Sequence, residues 1–515
     1  METFRNIIEY FALLMGAVML VSLTNKQLQI FQQSQYRFRS FRKNLKVHYF
    51  LASHFWPPYI FFYFYLHLWY IQLIFGIYLG ILLFLKLRRK AILKLKYTAR
   101  IKRLYFVLIV VNTLLASFLA WQLPLPHLAS GLILLLFDVP FVVYFSALLI
   151  QPLEGLILGI YLKKADRKLR KMAPVVIGIT GSYGKTSTKN ILFSYLQEDF
   201  RPLPSPASFN TLGGLALTVN RHLKNHHDAA ILEMGATHKG DIEKLAKFAR
   251  PKHGIVTAVG PQHLESFKAI DAVVCEKMKL IEALPEDGIA VLNYDDEHIR
   301  NYPLKRTGKT VTYGLGEGVD YRAVDVKADL NGISFKIRYK GKESKLHAPL
   351  LGEHNIYNIL AAFALASELG IPEKELIYRT ETLEPVEHRL SLRSEGELLI
   401  IDDAYNSNPE GFRSALGVLS LHDGFKILIT PGIVEGGREE KKINRALAET
   451  TASVCDLVIL VRTKASLEIK QGLDACGYGN VKIVDDFRKA MKIVRENHAD
   501  AVVLIENDIT DIYKI

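Results

Sequence analysis

Cysteine is scarce in this chain. The 515 residues hold three, Cys275, Cys455 and Cys476, with no paired spacing. That pattern excludes a disulfide framework and a cysteine-built metal cluster, and it suits a reducing compartment. Acidic residues are nearly missing from the first third. Residues 1–173 carry 22 lysines and arginines against 5 acids, while the remainder carries 43 against 47. The formal charge of +13 therefore belongs to the N-terminal third. The rest lacks the basic surplus that a nucleic-acid surface requires, so no nucleic-acid partner is expected. Charge of either sign is missing from Tyr10–Asn25 and Val47–Leu85, and Leu104–Leu153 contains Asp138 alone. Apolar sequence this extended is not a cleavable signal peptide.

What these uncharged runs supply is membrane-spanning length. A hydrocarbon core of ~30 Å needs about 20 helical residues. Val47–Leu85 is too long for one crossing and sufficient for two, and so is Leu104–Leu153, where Pro124 and Pro126 mark a turn. Five crossings are expected, near 7–24, 49–67, 69–86, 104–121 and 129–150. Basic residues concentrate in 26–46, 86–103 and 163–171. The preference of such loops for the cytoplasmic side places all three there. The expectation is a multi-pass protein of the cell membrane, with membrane lipid as a partner and the C-terminal two-thirds in the cytoplasm. Asp138, followed by Pro140, is either a functional intramembrane carboxylate or a solvated one near a helix break.

Residues 175–190 read VVIGITGSYGKTSTKN, an apolar run, a glycine-bent loop and a helix-forming stretch. Gly181 and Gly184 let backbone N–H groups turn toward a phosphate at the positive end of the following helix. Ser182, Tyr183 and Ser187 complete the loop. Lys185 reaches the outer phosphates, and the Thr186 hydroxyl is placed to hold Mg²⁺. ATP is the expected nucleotide. From Ala173 onward, strand-like runs alternate with helical ones: VVIGIT, AAILEMG, GIVTAVG and GIAVLNYDD, then LLIIDDA, FKILITPG, DLVILVRT, NVKIVDD and AVVLIEND. Alternation of this kind implies parallel sheets with crossover helices. The stretch 309–350 suggests a small antiparallel addition. The fold class expected is an α-helical membrane region (1–172, ending in a cytoplasmic amphipathic linker) followed by two α/β domains. These are a P-loop parallel-sheet ATPase domain (173–383) and a Rossmann-like C-terminal domain (384–515). Ligands of open parallel sheets sit beyond the carboxyl ends of strands, where Glu233, His263, Asn293 and Asp403 fall.

The segments GITGSYGKTST, LEMGA, VGPQHLESF, VLNYDD, GEHNIYN, EHR and IDDAYNSNP occur in an order and rough spacing that resembles the Mur ligases. The likeness is greatest to the branch that adds D-alanyl-D-alanine to a UDP-muramoyl tripeptide. It covers about residues 175–410 and leaves the apolar third outside. It implies a ligase that uses ATP to turn a carboxylate into an acyl phosphate, which an amine then attacks. By this resemblance Lys185 contacts the transferred phosphate, Thr186 and Glu233 hold one Mg²⁺, and His263 holds a second. Read alone, His263 would be a turn histidine, because hard cations prefer oxygen. Lys277 matches the lysine that is carbamylated in these enzymes, with Lys279 close enough to compete for the assignment. Asn293, Asn355 and Asn358 resemble the adenine surroundings, Arg389 the phosphate contact and Asp403 the ribose contact. Tyr405, Asn406 and Asn408 resemble the family's substrate-side segment.

Two departures fall on substrate recognition. Five crossings stand where the family has a UDP-sugar-binding domain, and IENDITD (505–511) replaces a basic segment near the last strand. The expected substrates are a UDP-linked or lipid-linked peptide precursor and an amino acid or dipeptide as amine donor. A ligase for another envelope or poly-amino-acid polymer remains an alternative. So does a membrane scaffold or transporter regulated by nucleotide.

Overall fold

The computed structural model describes residues 2–34, 36–38, 41–42, 77, 81, 95–122, 128–260, 264–404, 408–434 and 439–506. The chain divides into two compact units, one reaching Leu158 and the other starting at Gly159.

In the first unit, helix α1 (Glu2–Gln33) covers the first expected crossing. Helix α2 (Ala99–Gln122) covers the fourth. Helix α3 (Leu128–Met172) covers the fifth and continues without interruption through Pro140 and Pro152. The expected crossings at 49–67 and 69–86, the Pro124–Pro126 turn and the Asp138 side chain lie outside the described residues. Among the described residues, two stretches are long and apolar enough to cross a bilayer, Ala99–Phe118 and Val139–Met172. They pack through Ile101, Leu104 and Leu108 against Val139, Val142 and Val143.

The second unit is built on two sheets. The larger has nine strands in the order β2-β3-β1-β4-β5-β6-β7-β8-β9. Its first six neighbours are parallel: β2 (Pro202–Pro204), β3 (Ala229–Glu233), β1 (Val175–Thr180), β4 (His253–Val256), β5 (Ala290–Asn293) and β6 (Thr310–Gly314). β7 (Tyr321–Asp329) joins β6 in parallel, and β8 (Gly332–Tyr339) and β9 (Lys342–Ala348) follow as antiparallel hairpins. This is the addition that 309–350 suggested.

Burial on both faces explains the continuous apolar runs of β1 and β3. On one face lie α4 (Lys185–Leu196) and α8 (His354–Glu368), whose segment Ile356–Ala366 is buried apart from Tyr357. The other face is covered by α5 (Leu212–His222), α6 (Asp241–Ala249) and α7 (Ile270–Glu282). The last turns of α3 join them: Ala165 and Leu169 are buried in that same cluster, and Lys168 Nζ donates to the Asn220 carbonyl. Helix α9 (Glu373–Glu381) then closes the first sheet's layer, with the buried Tyr195 hydroxyl 2.7 Å from Thr380 Oγ1.

The smaller sheet runs β10-β11-β15-β12-β13-β14. Only the β10 (Ser391–Glu395) to β11 (Leu398–Asp403) pairing is antiparallel; β15 (Val502–Glu506), β12 (Lys426–Thr430), β13 (Leu457–Val461) and β14 (Val481–Val484) are parallel. Helices α10 (Pro409–Ser420), α11 (Glu440–Val454) and α12 (Lys464–Ala475) cover one face and α13 (Phe487–Asn497) the other.

Candidate active site

The site is built where β1 hands over to α4. Gly181 and Gly184 have φ of +152° and +78°, a region that L side chains rarely adopt. A Cβ on Gly181 would stand 2.0 Å from Thr257 Oγ1, and one on Gly184 would stand 2.3 Å from Asn358 Oδ1. The loop is thus held between the end of β4 and the start of α8. Ser182 fixes it further, its N–H donating to the Ala258 carbonyl at 2.6 Å and its hydroxyl pairing with Gly260. The Thr257 hydroxyl donates to the Tyr183 carbonyl. Ser187 follows, partly exposed, on the first turn of α4.

Lys185 folds back over the loop, donating to the carbonyls of Gly181 (2.7 Å) and Ser182 (3.1 Å). Burial lowers its ammonium to about 8, against the opposing pull of Glu233. Thr186 donates its hydroxyl to Glu233 Oε2 at 2.9 Å. Glu233 is the last residue of β3 and almost wholly buried. Its other oxygen, Oε1, accepts from Asn210 Nδ2 at 3.0 Å. Its N–H donates to Ser205 Oγ at 3.1 Å.

Lys189, one turn beyond Lys185, is 1% exposed and lies 3.6 Å from Glu233 Oε2. It donates to the carbonyls of Ser205 (2.8 Å) and Ala207 (2.6 Å). Lys189, Ser205 and Asn210 were not singled out from the sequence. The available signal was a second lysine four residues after Lys185, on the same helical face.

Lys277, on α7, is 2% exposed. Burial and the neighbouring charge of Lys185 hold its ammonium well below the usual lysine range. A neutral amine is the form that reacts with CO₂, so the environment suits carbamylation. Glu276 beside it accepts from Gly240 N and Ile242 N, which sets the start of α6.

The three asparagines form a polar frame around the loop. Asn293 Nδ2 donates to the Thr257 carbonyl at 3.0 Å. Asn358 Oδ1 accepts from Thr188 Oγ1 at 3.1 Å, and Asn358 Nδ2 donates to Asn355 Oδ1 at 2.9 Å. Asn355 Nδ2 in turn donates to the Leu351 carbonyl. In this arrangement the amides lock α8 to α4.

From the smaller sheet comes Arg389, whose Nη2 donates to Thr186 Oγ1 at 3.5 Å. Its neighbours His388 and Leu390 both have left-handed backbones, with φ of 60° and 53°. Such conformations cost about 1–3 kcal/mol in non-glycine residues and persist only where surroundings enforce them. Here adjacent carboxylates do so: His388 Nδ1 meets Asp402 Oδ2 at 2.9 Å, and Leu390 N donates to Asp403 Oδ1 at 3.2 Å. Burial raises Asp403 to about 6, against the lowering pull of Arg389. Its register partner across β11–β15 is the fully buried Glu506. His354, exposed at the start of α8, meets Ser414 Oγ at 2.9 Å.

Lys185, Thr186, Glu233, Lys277 and Arg389 therefore converge on one region. Asn408 caps α10, accepting from Gly411 N at 2.9 Å. His263, Tyr405 and Asn406 lie outside the described residues. Among the described residues no three histidines, cysteines or acids gather as a metal cluster. A hard cation here would find the Thr186 hydroxyl and the Glu233 carboxylate as oxygen donors, a set that suits Mg²⁺ once phosphate oxygens and water complete it.

Residues 179–366 match the Mur ligase middle domain, and residues 388–506 match the Mur ligase glutamate ligase domain. The UDP-N-acetylmuramoyl-tripeptide–D-alanyl-D-alanine ligase of Bacillus subtilis (strain 168) is 32% identical over 284 residues, covering 55% of this chain and 61% of that enzyme. The enzyme of the same name from Haemophilus influenzae is 30% identical, over 54% of this chain and 62% of its own length. The chain thus spans about three-fifths of these curated relatives. Among solved structures, MurF ligase from Thermotoga maritima in complex with ADP superposes with a TM-score of 0.62 at 26% identity, over 69% of this chain and 81% of that one. MurF from Acinetobacter baumannii shares the fold, with a TM-score of 0.59 at 24% identity, over 67% and 76% of the two chains.

Proposed function

Because this chain belongs to the Mur ligases through its middle and C-terminal domains, we propose that it is an ATP-dependent carboxylate–amine ligase of cell-envelope precursor synthesis. The observation that carries the reading is the approach of Arg389, from the second sheet, to Thr186 on the phosphate loop of the first. Phosphoryl transfer between anions needs cations and donors that offset charge and hold the groups in line. Lys185, Arg389 and the loop N–H groups provide these, and Thr186 with Glu233 would hold Mg²⁺. Bound ATP supplies the phosphoryl group that makes the acceptor carboxylate electrophilic. Lys277, neutral and so able to take up CO₂, would once carbamylated offer oxygen ligands to a second cation; His263 is the proposed partner in that site. Asn293, Asn355 and Asn358 line the proposed adenine side, Asp403 the ribose side, and Tyr405, Asn406 and Asn408 the acceptor side. Drawing the groups from two domains keeps water from the activated acid.

The acceptor is a muramoyl-type peptide on a UDP or lipid carrier, and the donor an amino acid or a D-alanyl-D-alanine-like dipeptide. The names of the Bacillus and Haemophilus relatives support this substrate class. Membrane integration, with the ligase domains in the cytoplasm, is part of the same proposal. Helices α2 and α3 support it by exposing Phe106, Leu114, Trp121, Phe141 and Leu149 away from their shared contact. At the basic end of α2, Arg103 holds Glu154 of α3 through two hydrogen bonds of 2.7 and 2.8 Å. A lipid carrier would be concentrated in that plane.

Purified full-length protein, supplied with ATP, Mg²⁺ and either UDP-tripeptide or lipid-linked tripeptide, should release phosphate and yield a hydroxylamine-trappable acyl group. Phosphate release without any trapped acid or amide, across both acceptors and a panel of amino acids, would leave only a nucleotide-binding scaffold.

A further inference from the structure

We propose that Lys189 is a resident counter-cation for Glu233, so that a divalent ion enters the site only together with a nucleotide's phosphates. The inference rests on reading the site as a nucleotide site. Lys189 and Glu233 are each 1% exposed and sit 3.6 Å apart at Oε2. That same oxygen takes the Thr186 hydroxyl at 2.9 Å, while Oε1 takes the Asn210 amide at 3.0 Å. The ammonium is fixed from behind by the carbonyls of Ser205 and Ala207 at 2.8 and 2.6 Å. Two of the ammonium's three donors go to these carbonyls, and the group faces Glu233 Oε2 as an ion pair at 3.6 Å, so the charge stays beside the carboxylate.

Lys185 and Arg389 add further positive charge around the same group. One carboxylate is therefore set against several cations. Mg²⁺ sheds its water reluctantly and is bound through carboxylates together with phosphates. An aqueous ion would meet one hydroxyl and one already compensated carboxylate, with no other cluster of acids among the described residues. A bound triphosphate reverses the local charge and brings its own oxygen ligands. Lys189 also ties Glu233 to the 205–210 segment, so the carboxylate stays aimed at Thr186 while it waits.

Mn²⁺ serves as the probe, titrated into full-length protein and followed by electron paramagnetic resonance, with and without ADP. Nucleotide-free wild-type protein should bind Mn²⁺ weakly, and ADP should tighten binding at least tenfold beyond the chelation of Mn²⁺ by ADP itself. Lys189→Met, of similar shape but neutral, should bind Mn²⁺ at least tenfold more tightly without ADP. Lys189→Arg, which keeps the charge, should behave as wild type. Tight Mn²⁺ binding by nucleotide-free wild type overturns the proposal even if Lys189→Met does not fold. So does a folded Lys189→Met with unchanged metal affinity that still binds ADP. Absence of ADP binding by wild type would instead remove the nucleotide reading beneath it.

Discussion

Arg389 Nη2 stands 3.5 Å from Thr186 Oγ1, across 203 positions of sequence and from one sheet to the other. This contact makes the phosphate loop a shared property of two domains. It should also let nucleotide binding be separated from turnover. Arg389→Ala should lower turnover by 10²-fold or more while ADP affinity changes less than tenfold, as expected for a donor used mainly as charge develops. Steady-state kinetics and ADP titration decide it; parallel losses in both would make Arg389 a ground-state binding residue.

The segment just before β10 that carries Arg389 depends on carboxylates of β11. Asp402→Asn should weaken its hold on His388 and relax the strained φ of 60° at that residue. Turnover should fall about tenfold with KM for ATP nearly unchanged, and thermal stability should drop only modestly. An unaltered turnover number would show that the His388–Asp402 contact leaves Arg389 unaffected.

Lys185 gives a pH signature. Its ammonium titrates near 8 in the nucleotide-free protein, below the ordinary 10.5, because burial disfavours the charge. The unfolded chain then binds more protons than the folded one between those values, so this residue's contribution to stability rises with pH from about 8 to 10.5. Phosphates restore the charged form, so ADP affinity should fall across the same window. Denaturation and ADP titrations of wild type against Lys185→Met test both slopes; identical pH dependence in the two proteins contradicts the assignment.

Lys277 should carry a carbamate. Protein equilibrated with ¹³C-bicarbonate should show a carbamate resonance that Lys277→Met lacks and Lys279→Met retains. A signal lost with Lys279 instead would shift the assignment by two residues.

The α2–α3 pair should hold the full-length protein in the membrane fraction through alkaline carbonate extraction. Recovery in the soluble fraction would leave that apolar belt to a protein partner rather than lipid.

Much of this molecule was legible along the chain because its signals are local. Glycine φ requirements wrote the phosphate loop at Gly181 and Gly184. Apolar runs such as VVIGIT and LVILV wrote strands buried on both faces. Strand–helix alternation wrote two parallel sheets, and the turn-rich segment after Gly308 wrote the hairpin strands β7–β9. Long-range partnership left no such mark. Lys189 looks in sequence like any solvent-facing helix lysine, and its burial against Glu233 exists only because β3 runs beside β1. His388 and Leu390 carry no residue type that announces a left-handed backbone; Asp402 and Asp403 impose it from the neighbouring strand. Residue type and short-range sterics determined the elements and the chemistry available. Tertiary structure alone decided which charges meet, because electrostatic pairing depends on distance in space and burial, and neither is encoded in spacing along the chain.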